Sequence, residues 1–126
     1  MSQPTTPTAF LREYERCANT HRFEEVAPLI AEDAIFWFSD GSYQGKDAIR
    51  QAFEATFDQI REEHYTLEHL HWLIEEEHIA VCLYDFHWQG LVNGQHAQGS
   101  GRGTSVLRQD DGRWYVVHEH LSSFPR

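Results

Sequence analysis

Gly112-Arg-Trp-Tyr-Val-Val-His-Glu-His-Leu-Ser-Ser123 is the stretch from which the fold of this chain can be read. It follows a turn signal, Asp110-Asp111-Gly112, and is rich in aromatic and β-branched residues. Side chains alternate faces along a strand, so strict alternation puts Trp114, Val116, His118, His120 and Ser122 on one side. Tyr115, Val117, Glu119 and Leu121 fall on the other. The first side grades from a bulky apolar anchor to two imidazoles and a hydroxyl, the pattern of a core strand whose far end lines a cavity.

The same period of two extends backwards. Strands are expected over His64–Glu75, His78–Gln89, Gln95–Arg108 and Arg113–Ser122, separated by breaks short enough for an antiparallel meander. Ahead of them the period is helical. Thr6-Pro7 reads as an N-cap and first turn, with Phe10, Leu11, Tyr14, Cys17 and Ala18 forming one apolar stripe. A short helix is expected over Arg22–Ala31, disturbed by Pro28. Ala34–Ser39 reads as an aromatic strand ended by Asp40-Gly41, and Lys46–Ile60 as the clearest helix. With the helices ahead of the long strands, the class is α+β, with helices gathered on one face of the sheet. In His78–Gln89 both parities are apolar, so a second copy is expected to cover the uncovered face: a homodimer through the sheet, with Tyr115, Val117 and Leu121 facing it.

The chain has 126 residues, enough for a single domain with its own core; residues 1–6 are expected to be flexible. A formal net charge of −10 argues against nucleic acid and anionic membranes as partners. No signal-like start or spanning apolar run is evident, so a cytoplasmic protein is expected. Cys17 and Cys82 lack metal or redox spacing and read as buried core thiols. His69-x-His71 and His118-x-His120 each pair imidazoles on one strand face, but no carboxylate or thiolate at ligand spacing joins them, so neither a metal nor a cofactor is expected. Gly99-Ser-Gly-Arg-Gly103 is not a phosphate loop, since no Lys-Ser/Thr and no helix follows it, and it leaves open which side of its strand faces inward.

The order of elements, with Tyr43-Gln-Gly-Lys-Asp-Ala-Ile49 opening a helix, the turn Asp111-Gly112-Arg113-Trp114, and Val117-His-Glu-His-Leu-Ser122 at the close, resembles the SnoaL-like branch of the nuclear transport factor two-like superfamily. The terminal strand is also similar to that of the calcium/calmodulin-dependent kinase association domain. The resemblance implies a cone-shaped, cystatin-like fold: N-terminal helices on a curved, mostly antiparallel sheet, with a deep apolar pocket. Tyr14 stands where ketosteroid isomerases of this fold place an oxyanion-donating tyrosine, twenty residues before Ala34. Phe38 stands where they place the catalytic aspartate, which argues against that reaction. Phe86 and Ser105 occupy places where the kinase domain carries arginines, and Arg102 is a partial replacement.

The sites expected on these grounds are a ligand pocket formed by Tyr14, Trp37, Phe38, Tyr84, Trp88, Arg102, His118 and His120. The leading reading is a protein that binds a small, largely apolar molecule, with Tyr14, His118 and His120 as polar contacts. The alternatives are an acid–base enzyme using a pocket histidine and Tyr14, and a non-catalytic oligomerisation module.

Overall fold

The structure, a computed structural model, describes residues 4–125. Helix α1 (Pro7–Ala18) is capped by Thr6, whose Oγ1 accepts from the Ala9 amide at 3.1 Å, and it buries Phe10, Leu11, Tyr14 and Cys17. Helix α2 (Phe23–Val26) is one turn long and continues as a single 3-10 turn over Ala27–Leu29, ahead of strand β1 (Ile30–Phe38). The expected helix over Arg22–Ala31 is therefore shorter, because Pro28 sits inside the 3-10 turn and the chain is already extended at Ile30. A four-residue strand, β2 (Gly41–Gln44), folds back on β1; it was too short and polar to show a period. Helix α3 (Lys46–Gln59) then precedes β3 (Arg61–Glu75), β4 (Ile79–Val92), β5 (Gln95–Asp110) and β6 (Arg113–Ser123).

The six strands form one sheet in the order β2-β1-β6-β5-β4-β3, antiparallel except where β1 runs parallel to β6. The expected α+β class and cone-shaped, cystatin-like fold are what is observed. Curvature comes from register shifts in β3, where three extra residues enter between Arg61 and Ile74 relative to β4. Glu62 and His69 lie at two of these places with positive φ, which increases twist and bends the strand around the helices. Inside the cone, Phe36, Leu107, Val116 and Cys82 are fully buried against Phe10, Leu11 and Ile49 of the helices.

One register shift decides what lies inside. Val106 pairs with His118 while Leu107 pairs with Val116, so Val117 is an extra residue in β6. A one-residue insertion exchanges the faces of everything beyond it. Trp114 and Val116 point into the core as expected, but beyond the bulge it is Glu119 and Leu121 that point inward.

The β4–β5 pair settles the orientation of the glycine-rich strand. Tyr84, Phe86 and Trp88 of β4 lie opposite Gly103, Gly101 and Gly99 of β5, and all six positions face inward. The rings lie flat across the glycines: a Cβ on Gly103 would come within 2.4 Å of the Tyr84 ring and 2.8 Å of Leu121. Arg102 and Thr104 therefore face outward, with Ser105 fully buried inside.

The outer face carries a cross-strand row of Ile74, Val81, Val106, His118 and Ile35, and next to it His71, Leu83, Thr104, His120 and Trp37. Trp37 is 47% exposed. Among the described residues no helix is long and apolar enough to cross a membrane.

Candidate functional site

A cavity of about 290 Å³ opens between α3 and the inner face of the sheet. Its walls come from the stripe of α3 that the helical period marks out, Phe53, Thr56 and Phe57, with Ile60 just past the end of the helix. Phe53, Phe57 and Ile60 are partly buried and Thr56 is exposed, since this stripe borders the opening on one side while Phe53 packs on Phe23 and Phe36 on the other. Phe38 at the end of β1 and Phe86 and Trp88 of β4 complete an aromatic lining. Polar groups are few. Tyr14 of α1, Tyr65 of β3 and Glu119 of β6 line the cavity together with Glu63, at the start of β3, and Ser39 and Asp40, in the turn after β1.

Glu119 is 3% exposed and sits at the inner end of β6, opposite Ser105 on β5. Burial pushes its carboxyl up to about 7, and the neighbouring Tyr14 hydroxyl offsets only part of that. Glu63 is also raised to about 7 by loss of solvent. The Tyr14 hydroxyl is buried and completes no hydrogen bond within the described residues. Its ionisation is pushed well above the ordinary tyrosine range by burial first and by the Glu119 charge second, so it stays a donor at neutral pH. Tyr84 lies deeper, its Oη 2.8 Å from Ser105 Oγ. Asp40 at the mouth accepts from Tyr43 Oη at 2.9 Å. Among the described residues no lysine, arginine or histidine lines the cavity.

An unpartnered buried hydroxyl costs about 1–3 kcal/mol. Tyr14→Phe is thus expected to raise the unfolding free energy by about 1 kcal/mol in urea titrations at pH 5, where Glu119 is protonated, and by less at pH 8, where Tyr14 steadies the carboxylate; a loss of stability at pH 5 would mean that the hydroxyl is satisfied in solution.

The residues expected from sequence divide into two groups. Tyr14, Phe38 and Trp88 line the cavity, while Tyr84 is buried in the core and borders the outer depression around His69 and His71. Trp37, Arg102, His118 and His120 do not. His118 and His120 are placed on the outer face by the Val117 bulge, stacked edge-on against Trp37 at 5.3 and 5.7 Å between ring centroids. His118 Nδ1 donates to the Ile35 carbonyl at 2.6 Å. Arg102 faces out with Thr104, because the inward positions of β5 are the glycines. Leu121, expected at a subunit interface, lines the cavity. His69 and His71 sit with Arg102 and His120 around a second, outer depression, where His69 Nδ1 lies 2.8 Å from Asp85 Oδ2. Among the described residues no cluster of His, Cys, Asp or Glu is placed to hold a metal ion.

Glu119 and Glu63 were missed. No local signal marks Glu119: Trp114-Tyr-Val-Val117 is apolar on both parities, so the pattern does not show where the bulge falls.

The profile of the SnoaL-like domain matches residues 8–126. The chain belongs to the SnoaL-like family. No curated protein matches it significantly. Among solved structures, this SnoaL-like chain is similar to a nuclear transport factor two-like superfamily protein from Salmonella enterica serovar Typhimurium. The TM-score is 0.85 at 19% identity, covering 94% of this chain and 89% of that one. It is also similar to a candidate calcium/calmodulin-dependent protein kinase II association domain from Xanthomonas campestris, with a TM-score of 0.83 at 18% identity over 100% and 96% of the two chains. A third similar structure is a candidate scytalone dehydratase from Novosphingobium aromaticivorans, with a TM-score of 0.80 at 16% identity over 94% and 81%. At these identities the likeness speaks to the fold.

Proposed function

We propose that this SnoaL-like protein binds a small, largely apolar molecule in the cavity, with the ligand's polar group meeting Tyr14 and Glu119. The observation that carries this reading is the buried Tyr14 hydroxyl, which lies beside Glu119, completes no hydrogen bond among the described residues and faces an aromatic-walled space. Buried polar groups are almost always paired, and an orphan aimed into a cavity is matched by what fills it. A thermal-shift screen of small aromatic alcohols, ketones and amines tests this. At least one should raise the melting temperature of the wild type and fail to do so for Ala52→Trp, which fills the cavity from α3. A screen in which no compound shifts the wild type overturns the reading.

A second reading, acid–base catalysis, is favoured by Glu119. A carboxyl titrating near neutrality inside an apolar cavity is suited to both taking and giving a proton. Tyr14, held protonated, would steady negative charge developing on the substrate. In this role Glu119 replaces the histidine expected from sequence. The dehydratase likeness agrees with such chemistry without specifying it.

A second copy of the chain is the proposed cover for the outer face of the sheet. Exposed Ile35, Trp37 and Leu83 sit beside a row carrying both signs, Glu68, Asp85 and Arg102, which a two-fold-related copy can match with its own. Trp37→Glu is expected to convert a dimer to monomer in sedimentation velocity at micromolar concentration. A wild type that sediments as a monomer sinks this proposal.

A further inference from the structure

We infer that the cavity selects a cation, and that its ligand is a small hydrophobic amine bound in its ammonium form against Glu119 and Tyr14. This rests on the reading of the cavity as a ligand site and specifies the chemistry of what enters it.

The first observation is the charge of the lining. Asp40, Glu63 and Glu119 are carboxyls from three separate parts of the chain, and no basic residue among the described ones faces them across the cavity. Glu119 is enclosed by Tyr14 of α1, Tyr65 of β3, Tyr84 of β4 and Ser105 of β5, all neutral at physiological pH. Tyr65 feels the charges of both Glu119 and Glu63, so the two carboxyls act on one region of the cavity. An anionic ligand would add another negative charge to this space. A neutral one would leave the Glu119 carboxyl either charged without a counter-charge or held protonated, whereas a cation matches the carboxylate directly.

The second observation is independent of charge. The Tyr14 hydroxyl is buried beside Glu119 and completes no hydrogen bond among the described residues, so its lone pairs are open to a donor. An ammonium group supplies several N–H donors. It can bond Tyr14 Oη and a Glu119 carboxylate oxygen at once, leaving the Tyr14 O–H for the same carboxylate. The third observation is the wall. Phe38, Phe53, Phe57, Phe86 and Trp88 surround the space, and the faces of aromatic rings attract cations. Carboxylates with ring faces form a site in which an amine is preferred over an alcohol of the same shape. The chain's formal charge of −10 adds long-range attraction of the same sign.

Proton linkage gives a signature that a neutral ligand lacks. In the empty cavity the Glu119 and Glu63 carboxyls are each raised to about 7, so at pH 6 both are mostly protonated. Bound ammonium favours the carboxylate and draws a proton off into solvent. At pH 8 the carboxyls are already mostly ionised and little is released.

Isothermal titration calorimetry with tryptamine, tryptophol and indole-3-propionate as probes tests the inference on the full chain. Tryptamine is expected to bind at least about tenfold tighter than tryptophol at pH 7.5, with indole-3-propionate weakest. Glu119→Gln should shrink the tryptamine-to-tryptophol affinity ratio to about threefold or less, whatever it does to the affinity of either alone. At pH 6, titrations in two buffers of different ionisation enthalpy should show proton release with tryptamine and none with tryptophol; this readout needs no variant. Tryptophol binding as tightly as tryptamine overturns the cation preference and leaves the ligand-site reading standing. Tryptamine binding unchanged in Ala52→Trp assigns it to surface attraction and also overturns the inference. If none of the three binds, the inference fails, and the alcohols and ketones of the thermal-shift screen show whether the ligand-site reading fails with it.

Discussion

Glu119→Gln is expected to stabilise the protein at pH 8 by up to about 3 kcal/mol and to flatten the dependence of its stability on pH. The folded-state carboxyl is raised to about 7 by burial, whereas in the unfolded chain it returns to about 4.3. Between those values the folded state binds the proton more tightly than the unfolded one. The wild type is therefore most stable at or below the unfolded value and loses stability as pH rises through the folded one. Above that the deficit is constant. Glutamine carries no charge to desolvate, so the gain should be absent near pH 4 and complete by pH 8. Glu63, raised in the same direction, leaves a residual slope in the variant. Urea unfolding of both proteins across that range measures the difference; equal slopes would mean that the carboxyl is hydrated in solution. Such a gain would mark Glu119 as a residue whose place in the cavity is held at the expense of stability, as is common for working groups.

Gly101→Ala should lose about 2–3 kcal/mol. A Cβ there would lie 2.2 Å from the Ser122 carbonyl oxygen and 2.7 Å from the Phe86 ring. The ring could turn aside only by giving up the cavity wall, and the carbonyl belongs to β6, whose register with β5 is set on both sides of it. The strands must part locally. Ser100→Ala, one residue away and exposed on the other side, should change stability by less than about 0.5 kcal/mol. If the two variants unfold at the same urea concentration, the inner face has more room than the structure shows.

Much of the architecture was legible because it follows from local period. The stripe Phe10, Leu11, Tyr14, Cys17 and Ala18 became the buried side of α1, and four alternating runs became β3 to β6. Trp114 reads as a core anchor and is one, with its Nε1 donating to the Thr5 carbonyl at 3.3 Å. The candidate site was legible only where it rests on elements without insertions. Tyr14 lies on a regular helix, Trp88 on a strand whose register with β5 runs without a break, and Phe38 at the end of β1; all three line the cavity. Where alternation was carried past a bulge it failed, and His118 and His120 exchanged places with Glu119 and Leu121.

Period, composition and turn residues were thus enough to establish the α+β order, the family resemblance and the presence of an aromatic-rich interior, because those depend on contacts a few residues apart. Which carboxyl reaches the cavity was settled elsewhere. An extra residue in β6 is accommodated only through pairing with β5, and whether Glu119 loses its water depends on α1 and α3 closing over it. Neither condition is local to Val116-Val117-His118-Glu119-His120, so the same five residues in a regular strand would present two histidines to the cavity and leave the acid outside.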